Sequence, residues 1–215
     1  MSMRIEVWGP YGCFSRPEMK TERVSYDIIT PSAARGLVEA ISWHPGLKYH
    51  IDRIYLLSPI QFTNIRRNEV RSTLLASAAL SAAKGGTPPV LYTSQDIQQR
   101  AAMVLQDVHY VIECHFTMTD KAAPGDNPGK FQDILRRRLS KGQCYHQPCF
   151  GCREFPANFR EWPGGDIPAL EEATQDLGFM LYDLDYSDPA NIRSQFFRAK
   201  LVNGVMDCRD VEVFT

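Results

Sequence analysis

Residues 127–142 read NPGKFQDILRRRLSKG. Asn127 is a helix cap, and Pro128 sits just inside it, where a missing N–H costs nothing. Phe131, Ile134, Leu135 and Leu139 recur at helical spacing and form one apolar stripe. Gly142 ends the helix. Lys130, Asp133, Arg137 and Lys141 fall along one exposed face, with Arg136 and Arg138 flanking it. A lysine in the first turn opposes its own helix dipole. Its position makes sense if an anion docks beside it, because the N–H groups of a helix start favour negative charge. The alternative is a basic face that merely meets solvent.

Working outward from this helix gives the fold. Before it, DVHYVIECHFTM (107–118) alternates. Tyr110, Ile112, Cys114 and Phe116 face one way; His109, Val111, Glu113 and His115 face the other, as in a strand. The loop KAAPGDNPG joins the two elements. After the helix, QPCFGCREF (147–155) is the candidate closing strand. At the N-terminus MRIEVWG (3–9) also alternates. TPSAARGLVEAISWHP (30–45) is a first helix, with Thr30 as cap, Pro31 in the first turn and Pro45 closing it. Its stripe is Ala34, Leu37, Val38 and Ile41; Arg35 and Glu39 are spaced to pair opposite. YHIDRIYLLSPIQFTNIRR (49–67) is extended chain broken at Ser58-Pro59, and residues 72–89 are an inserted, partly helical excursion.

The order is β-α-β-β-α-β, an α+β ferredoxin-like, RRM-like unit. This reading assigns residues 1–155 to that domain and 156–215 to a small, mostly β, acidic C-terminal domain. Strand-like runs in the latter are GFMLYDLDY, QFFRAKLVNGVM and DVEVF. Fold alone does not give function.

Charge narrows the function. The chain of 215 residues has a net charge of −1, unevenly spread. Residues 1–155 hold 19 Lys+Arg against 14 Asp+Glu; residues 156–215 hold 5 against 11. A basic first part suits a polyanionic partner. No apolar run approaches the roughly 18 residues of a membrane span. MSMRIEVWG has no signal pattern, so a cytoplasmic protein with its six cysteines reduced is expected. Phosphate-loop, serine-elbow, zinc-protease and dinucleotide motifs do not occur, which removes support for those chemistries.

Other clusters carry competing readings. In NIRRNEVR (64–71), alternation puts Arg66 and Arg67 on opposite faces. Trp8, Tyr11, Phe14, Tyr26, Trp43 and Tyr145 could stack on bases or fill core and interface positions. CYHQPCFGC offers Cys144, His146, Cys149 and Cys152, but four ligands within nine residues do not match structural zinc spacing. Reduced thiols, and structural histidines at His109 and His115, are the expected state; no metal site or cofactor is expected. His44, His50 and His146 border the two helices, and of all side chains histidine has the unperturbed pKa best matched to the base of a metal-free ribonuclease.

Three blocks bring a family into view: RIEVWGPYGCFSRPEMKTERVSYDIITPSAARGLVEAISWHP (4–45), IDRIYLLSPIQFTNIRRNEV (51–70) and GKFQDILRRRLSKGQCYHQPCFGCREF (129–155). In this order they closely resemble the CRISPR-associated RAMP-superfamily proteins of subtype I-C, the Dvulg-type members of the fifth Cas family. The resemblance implies a ferredoxin-like RAMP domain followed by a β domain. It implies metal-independent cleavage of precursor CRISPR RNA at the repeat hairpin, through 2′-OH attack that leaves a 2′,3′-cyclic phosphate. It also implies that the protein stays on the 5′ handle, beside the backbone and large subunits of the interference complex. Such proteins are further implied to bind duplex DNA non-specifically.

Of the family's catalytic trio, the lysine matches Lys130. The histidine that follows it is Phe131 here, and the tyrosine at the end of helix one is Ser42. The catalytic candidates are therefore Lys130, with Ser42 at a trio position and His44, Tyr49 and His146 as replacement proton carriers. The nucleic-acid-binding candidates are Arg35, Arg66, Arg67, Arg136, Arg137 and Lys141. Three readings stay open: an RNA-processing endoribonuclease, a binding and assembly subunit that does not cut, and an unrelated ferredoxin-like enzyme or regulator.

Overall fold

The computed structural model describes residues 2–19, 21–188 and 190–215. Its elements are β1 (Met3–Gly12), β2 (Arg23–Val24), α1 (Pro31–Ile41), β3 (Leu47–Leu56), β4 (Phe62–Val70), α2 (Ala76–Ala83), β5 (Ile97–Met118), α3 (Pro128–Lys141), β6 (Asn158–Glu161), β7 (Gln175–Asp185), β8 (Arg193–Leu201) and β9 (Val205–Asp207). The main sheet runs β6-β1-β5-β3-β9. Within it β6, β1, β5 and β3 are the fourth, first, third and second strands of the β-α-β-β-α-β unit, all antiparallel to their neighbours. This is the ferredoxin-like arrangement.

Both helices form where their caps dictate. Thr30 Oγ1 accepts the Ala33 N–H at 3.1 Å, and Asn127 Oδ1 accepts the Lys130 N–H at 3.0 Å. Gly142 closes α3 in the left-handed region. Leu37, Val38 and Ile41 of α1 and Leu135 and Leu139 of α3 share one buried cluster with Ile5, Val7, Tyr110, Ile112 and Cys114 of the sheet. Ile134, at the edge of the α3 stripe, is only half-buried. A bulge between Ile51 and Arg53 keeps Tyr49 and Ile51, and then Ile54 and Leu56, all on the core side of β3.

β5 departs from expectation. It runs for 22 residues, starting ten before the alternation at 107–118 begins. Its first half pairs with β4 and β2 as an arm, and its second half sits between β1 and β3. The arm lacks a one-sided apolar pattern, because Ile97, Ala101 and Met103 lie on its exposed face. Residues 71–96 cap the arm and include α2, which has no buried residue.

QPCFGCREF is not a strand. It is a compact loop anchored by Phe150, which is fully buried and whose carbonyl accepts the Cys13 N–H at 3.0 Å. The strand that closes the unit is β6, which pairs with β1. The chain beyond residue 155 thus supplies β6 and β9 to the main sheet, while β7 and β8 form a separate hairpin. Met180, Phe197, Leu201 and Met206 belong to the same buried cluster as the first unit.

Gly151 in this loop has φ +80, and a Cβ there would lie 2.0 Å from the Cys13 carbonyl oxygen. Gly142 has φ +63 with open space around it. Gly151→Ala is therefore expected to cost about 3 kcal/mol or more, from strain plus displaced backbone. Gly142→Ala should cost only about 1 kcal/mol. Urea denaturation of the two variants checks this; equal losses would contradict the close approach.

Candidate nucleic-acid interface

The C-terminal end of α1 is buried against α3, so its last carbonyls need donors from outside the helix. Ala40 O accepts the N–H groups of Tyr145 and His146, both at 2.9 Å. Ile41 O accepts Arg138 Nη1 at 2.5 Å, and Ser42 O accepts the Tyr49 hydroxyl at 2.9 Å. A guanidinium at this end also opposes the negative pole of the α1 dipole. Four residues thus lock the end of α1 to α3, to the loop after it and to β3.

This seam decides what the catalytic candidates can do. Ser42 is buried at 5 % exposure and caps α1. Tyr49 is 2 % exposed, packs edge-on against Phe116 and spends its hydroxyl proton on Ser42 O. Burial pushes its phenol up to about 12. Both side chains are buried, and the Tyr49 hydroxyl serves a structural hydrogen bond.

Trp43 and His44, the next residues, emerge from the seam on diverging paths. His44 rests on Phe131, ring centroids 4.8 Å apart, and Phe131 lies 5.8 Å from Lys130 Nζ. Lys130 and His44 thus both border the Phe131 ring. His44 Nδ1 accepts the Gly46 N–H at 3.0 Å, which in the neutral ring leaves the proton on Nε2. In that tautomer Nε2–H is the ring's remaining donor.

Lys130 already has an anion. Its Nζ lies 2.7 Å from Asp126 Oδ1, and the other Asp126 oxygen accepts the Ala123 N–H at 2.9 Å. The Lys130 ammonium, then that N–H, hold the Asp126 carboxyl below its ordinary range. Part of the reason for a lysine in the first turn is thus inside the chain. The i,i+4 spacing of Asp126 and Lys130 was the sequence signal for it.

The arginines divide by partner. Arg35 pairs with Glu39 at 2.8 Å and with Asp183 at 2.6 Å, tying α1 to β7. Arg67 pairs with Glu69 and Glu154, while Arg66 is exposed on the arm. Arg136 meets Glu161 of β6 at 3.4 Å. Arg137 and Lys141 are exposed and have no ion pair among the described residues. With Lys130 they form a basic stripe at helical spacing, next to the seam.

The remaining clusters have internal partners. Cys152 lies 3.5 Å from an Arg23 nitrogen; the hydrogen bond from Cys13, and then Arg23, hold its thiol below the ordinary range. His146 packs edge-on against Tyr145. His109 pairs with Glu6 at 2.8 Å, His115 with Asp52 at 2.8 Å, and Glu113 accepts the Tyr55 hydroxyl at 2.7 Å. Among the described residues, no helix is long and apolar enough to cross a membrane.

Comparison with known proteins places this geometry. The family model described as CRISPR-associated protein (Cas_Cas5), of Cas5d type, matches residues 2–209. A "CRISPR pre-crRNA endoribonuclease Cas5d" of Mannheimia succiniciproducens is 48 % identical over 212 residues, covering 95 % of this chain and 93 % of the relative. A protein of the same name from Thermus thermophilus is 41 % identical over 197 residues, covering 91 % and 79 %. A solved structure titled "Crystal Structure of CRISPR-associated Protein" superposes with TM-score 0.71 at 19 % identity, covering 100 % of this chain and 97 % of its own. A chain of a "CRISPR RNA-guided surveillance complex" gives TM-score 0.52 at 13 % identity, covering 100 % and 89 %. These two likenesses are of fold. The chain belongs to the Cas5d family of CRISPR-associated proteins.

Tyr49→Phe separates a structural tyrosine from a chemical one. It removes the hydroxyl that satisfies Ser42 O and should cost about 1–2 kcal/mol in thermal or urea unfolding. RNA cleavage at a temperature where the variant is folded should stay within about twofold of wild type. A loss of a hundredfold or more would return Tyr49 to the chemistry.

Proposed function

We propose that this Cas5d-family protein binds the repeat hairpin of precursor CRISPR RNA and cuts it by transesterification. The observation that carries the reading is that Lys130 and His44 both border the Phe131 ring, at the head of the Lys130–Arg137–Lys141 stripe. It occurs in a chain 48 % and 41 % identical to two relatives named as pre-crRNA endoribonucleases.

In this reading the stripe grips the sugar-phosphate backbone, and the scissile phosphate replaces Asp126 as partner of the Lys130 ammonium. The 2′-OH attacks phosphorus, the bond to the 5′-oxygen breaks, and a 2′,3′-cyclic phosphate and a 5′-OH result. Negative charge grows on the non-bridging oxygens. Lys130 Nζ stabilises it, and His44 Nε2–H donates a second hydrogen bond. The 2′-OH proton passes to water, and water protonates the leaving oxygen. Cutting needs no divalent ion. The product stays bound through its 5′ handle, and the protein takes its place beside the backbone and large subunits of the interference complex. The same stripe also suits the phosphates of duplex DNA.

A second reading is favoured by Phe131, which stands where the family pattern has a histidine, and by the Asp126 carboxylate on Lys130. It makes the protein an RNA-binding assembly subunit that cuts slowly or not at all.

Incubation with the cognate repeat RNA in EDTA, with sequencing of the ends, distinguishes the two. The first reading expects a cyclic-phosphate end, and a rate lowered by about 10²–10³ in Lys130→Ala. His44→Gln, which keeps a donor, should retain more activity than His44→Ala; equal losses would make His44 a base. Intact RNA at saturating protein would leave the second reading. For binding, Arg137→Ala and Lys141→Ala should each flatten the salt dependence of affinity by roughly 0.7–0.9 in log–log slope. An unchanged slope in both would remove the stripe from the interface.

A further inference from the structure

We infer that the groove between α1 and the Trp43–Tyr145 pair is a subsite for one unpaired nucleobase of the RNA, flanking the phosphate held by Lys130. This inference rests on the RNA-binding reading above and names a contact within it. Three observations carry it.

The first is aromatic. Trp43 is 49 % exposed and Tyr145 51 % exposed, yet they stack on one another at 5.8 Å with an interplanar angle of 27°. Exposed aromatic faces held in place are what base stacking uses, and every base has a face to offer. Trp43 and His44 are consecutive, and their rings part toward Tyr145 and Phe131 respectively. A backbone phosphate at His44 and a stacked base at Trp43 therefore belong to neighbouring parts of one strand.

The second is the floor. The groove is about 360 Å³, within the 300–1,000 Å³ of small-ligand pockets, and is lined by Gly36, Glu39, Ala40, Trp43, Tyr145 and His146. Gly36 sits mid-helix on the exposed face of α1, and a Cβ added there meets nothing within 4 Å. Glycine weakens a helix interior, and no packing partner in the chain demands it at this point. Close approach of a ligand to the helix backbone gives it a use.

The third is the polar end. Glu39 Oε1 accepts Arg35 Nη1, and its second carboxylate oxygen has no protein partner among the described residues. An acceptor there suits the exocyclic amine of adenine, cytosine or guanine, which uracil lacks. Arg137 and Lys141, exposed on α3 and without an ion pair among the described residues, offer charge to phosphates of the same strand, which sets RNA above an apolar peptide as occupant.

Gly36→Leu fills the groove in open space and improves helix propensity, so the variant folds. Fluorescence-anisotropy titrations would use the cognate repeat hairpin with its single-stranded flanks, intact or carrying one abasic nucleotide at each unpaired position in turn. With wild type, one abasic position should weaken binding about tenfold, and uracil there should do nearly as much harm. Gly36→Leu and Trp43→Ala should weaken intact RNA by a similar factor and be indifferent to that abasic position. If Gly36→Leu and Trp43→Ala bind intact RNA like wild type, the subsite is overturned while the RNA-binding reading stands. It is equally overturned if both variants bind weakly but no abasic position matters. If wild type does not bind the repeat at all, both readings fall.

Discussion

The structure turns on how the last carbonyls of α1 are satisfied. They point into the junctions with α3, the loop after it and β3, where protein donors serve them. Leaving a buried acceptor without a donor costs about 1–3 kcal/mol. Arg138, the Tyr145 and His146 amides and the Tyr49 hydroxyl supply the donors. The same bonds fix the direction in which the chain leaves α1. Trp43 can therefore reach Tyr145, and His44 Phe131, only because the residues before them are held in this way.

The seam also separates charge that holds the fold from charge that meets a partner. Arg138 is half-buried and committed to a carbonyl; Arg35, Arg67 and Arg136 are committed to carboxylates. Arg137 and Lys141 are committed to nothing among the described residues. Lys130 lies between these groups. Its 53 %-exposed side chain is paired with a carboxylate only 4 % exposed. Such a pair keeps the ammonium in place before an anion arrives, at the cost of making the anion compete.

Much of this was legible in the sequence. The caps at Thr30 and Asn127, the stop at Gly142 and the alternation in β1 and in the second half of β5 rest on local rules, and local rules are readable. The arm half of β5 was not, because a two-stranded ribbon with little behind it needs no apolar face. The closing strand was placed too early, since the buried ring of Phe150 in a loop looks the same in sequence as one in a strand. Arg35 and Arg67 look like nucleic-acid ligands until partners 148 and 87 residues away are seen. Those pairings depend on the tertiary fold and leave no periodic mark. Tyr49 has the right chemistry for a proton carrier, and its burial against the seam is a tertiary fact that the sequence does not show.

The most direct test is a structure of the protein bound to its own repeat hairpin, with a 2′-deoxy nucleotide at the cleavage position to hold the complex intact. The account predicts the scissile phosphate within about 3 Å of both Lys130 Nζ and His44 Nε2, with the ammonium drawn away from Asp126 and the strand running along Arg137 and Lys141. RNA seated elsewhere, with Lys130 still closed on Asp126, would contradict it.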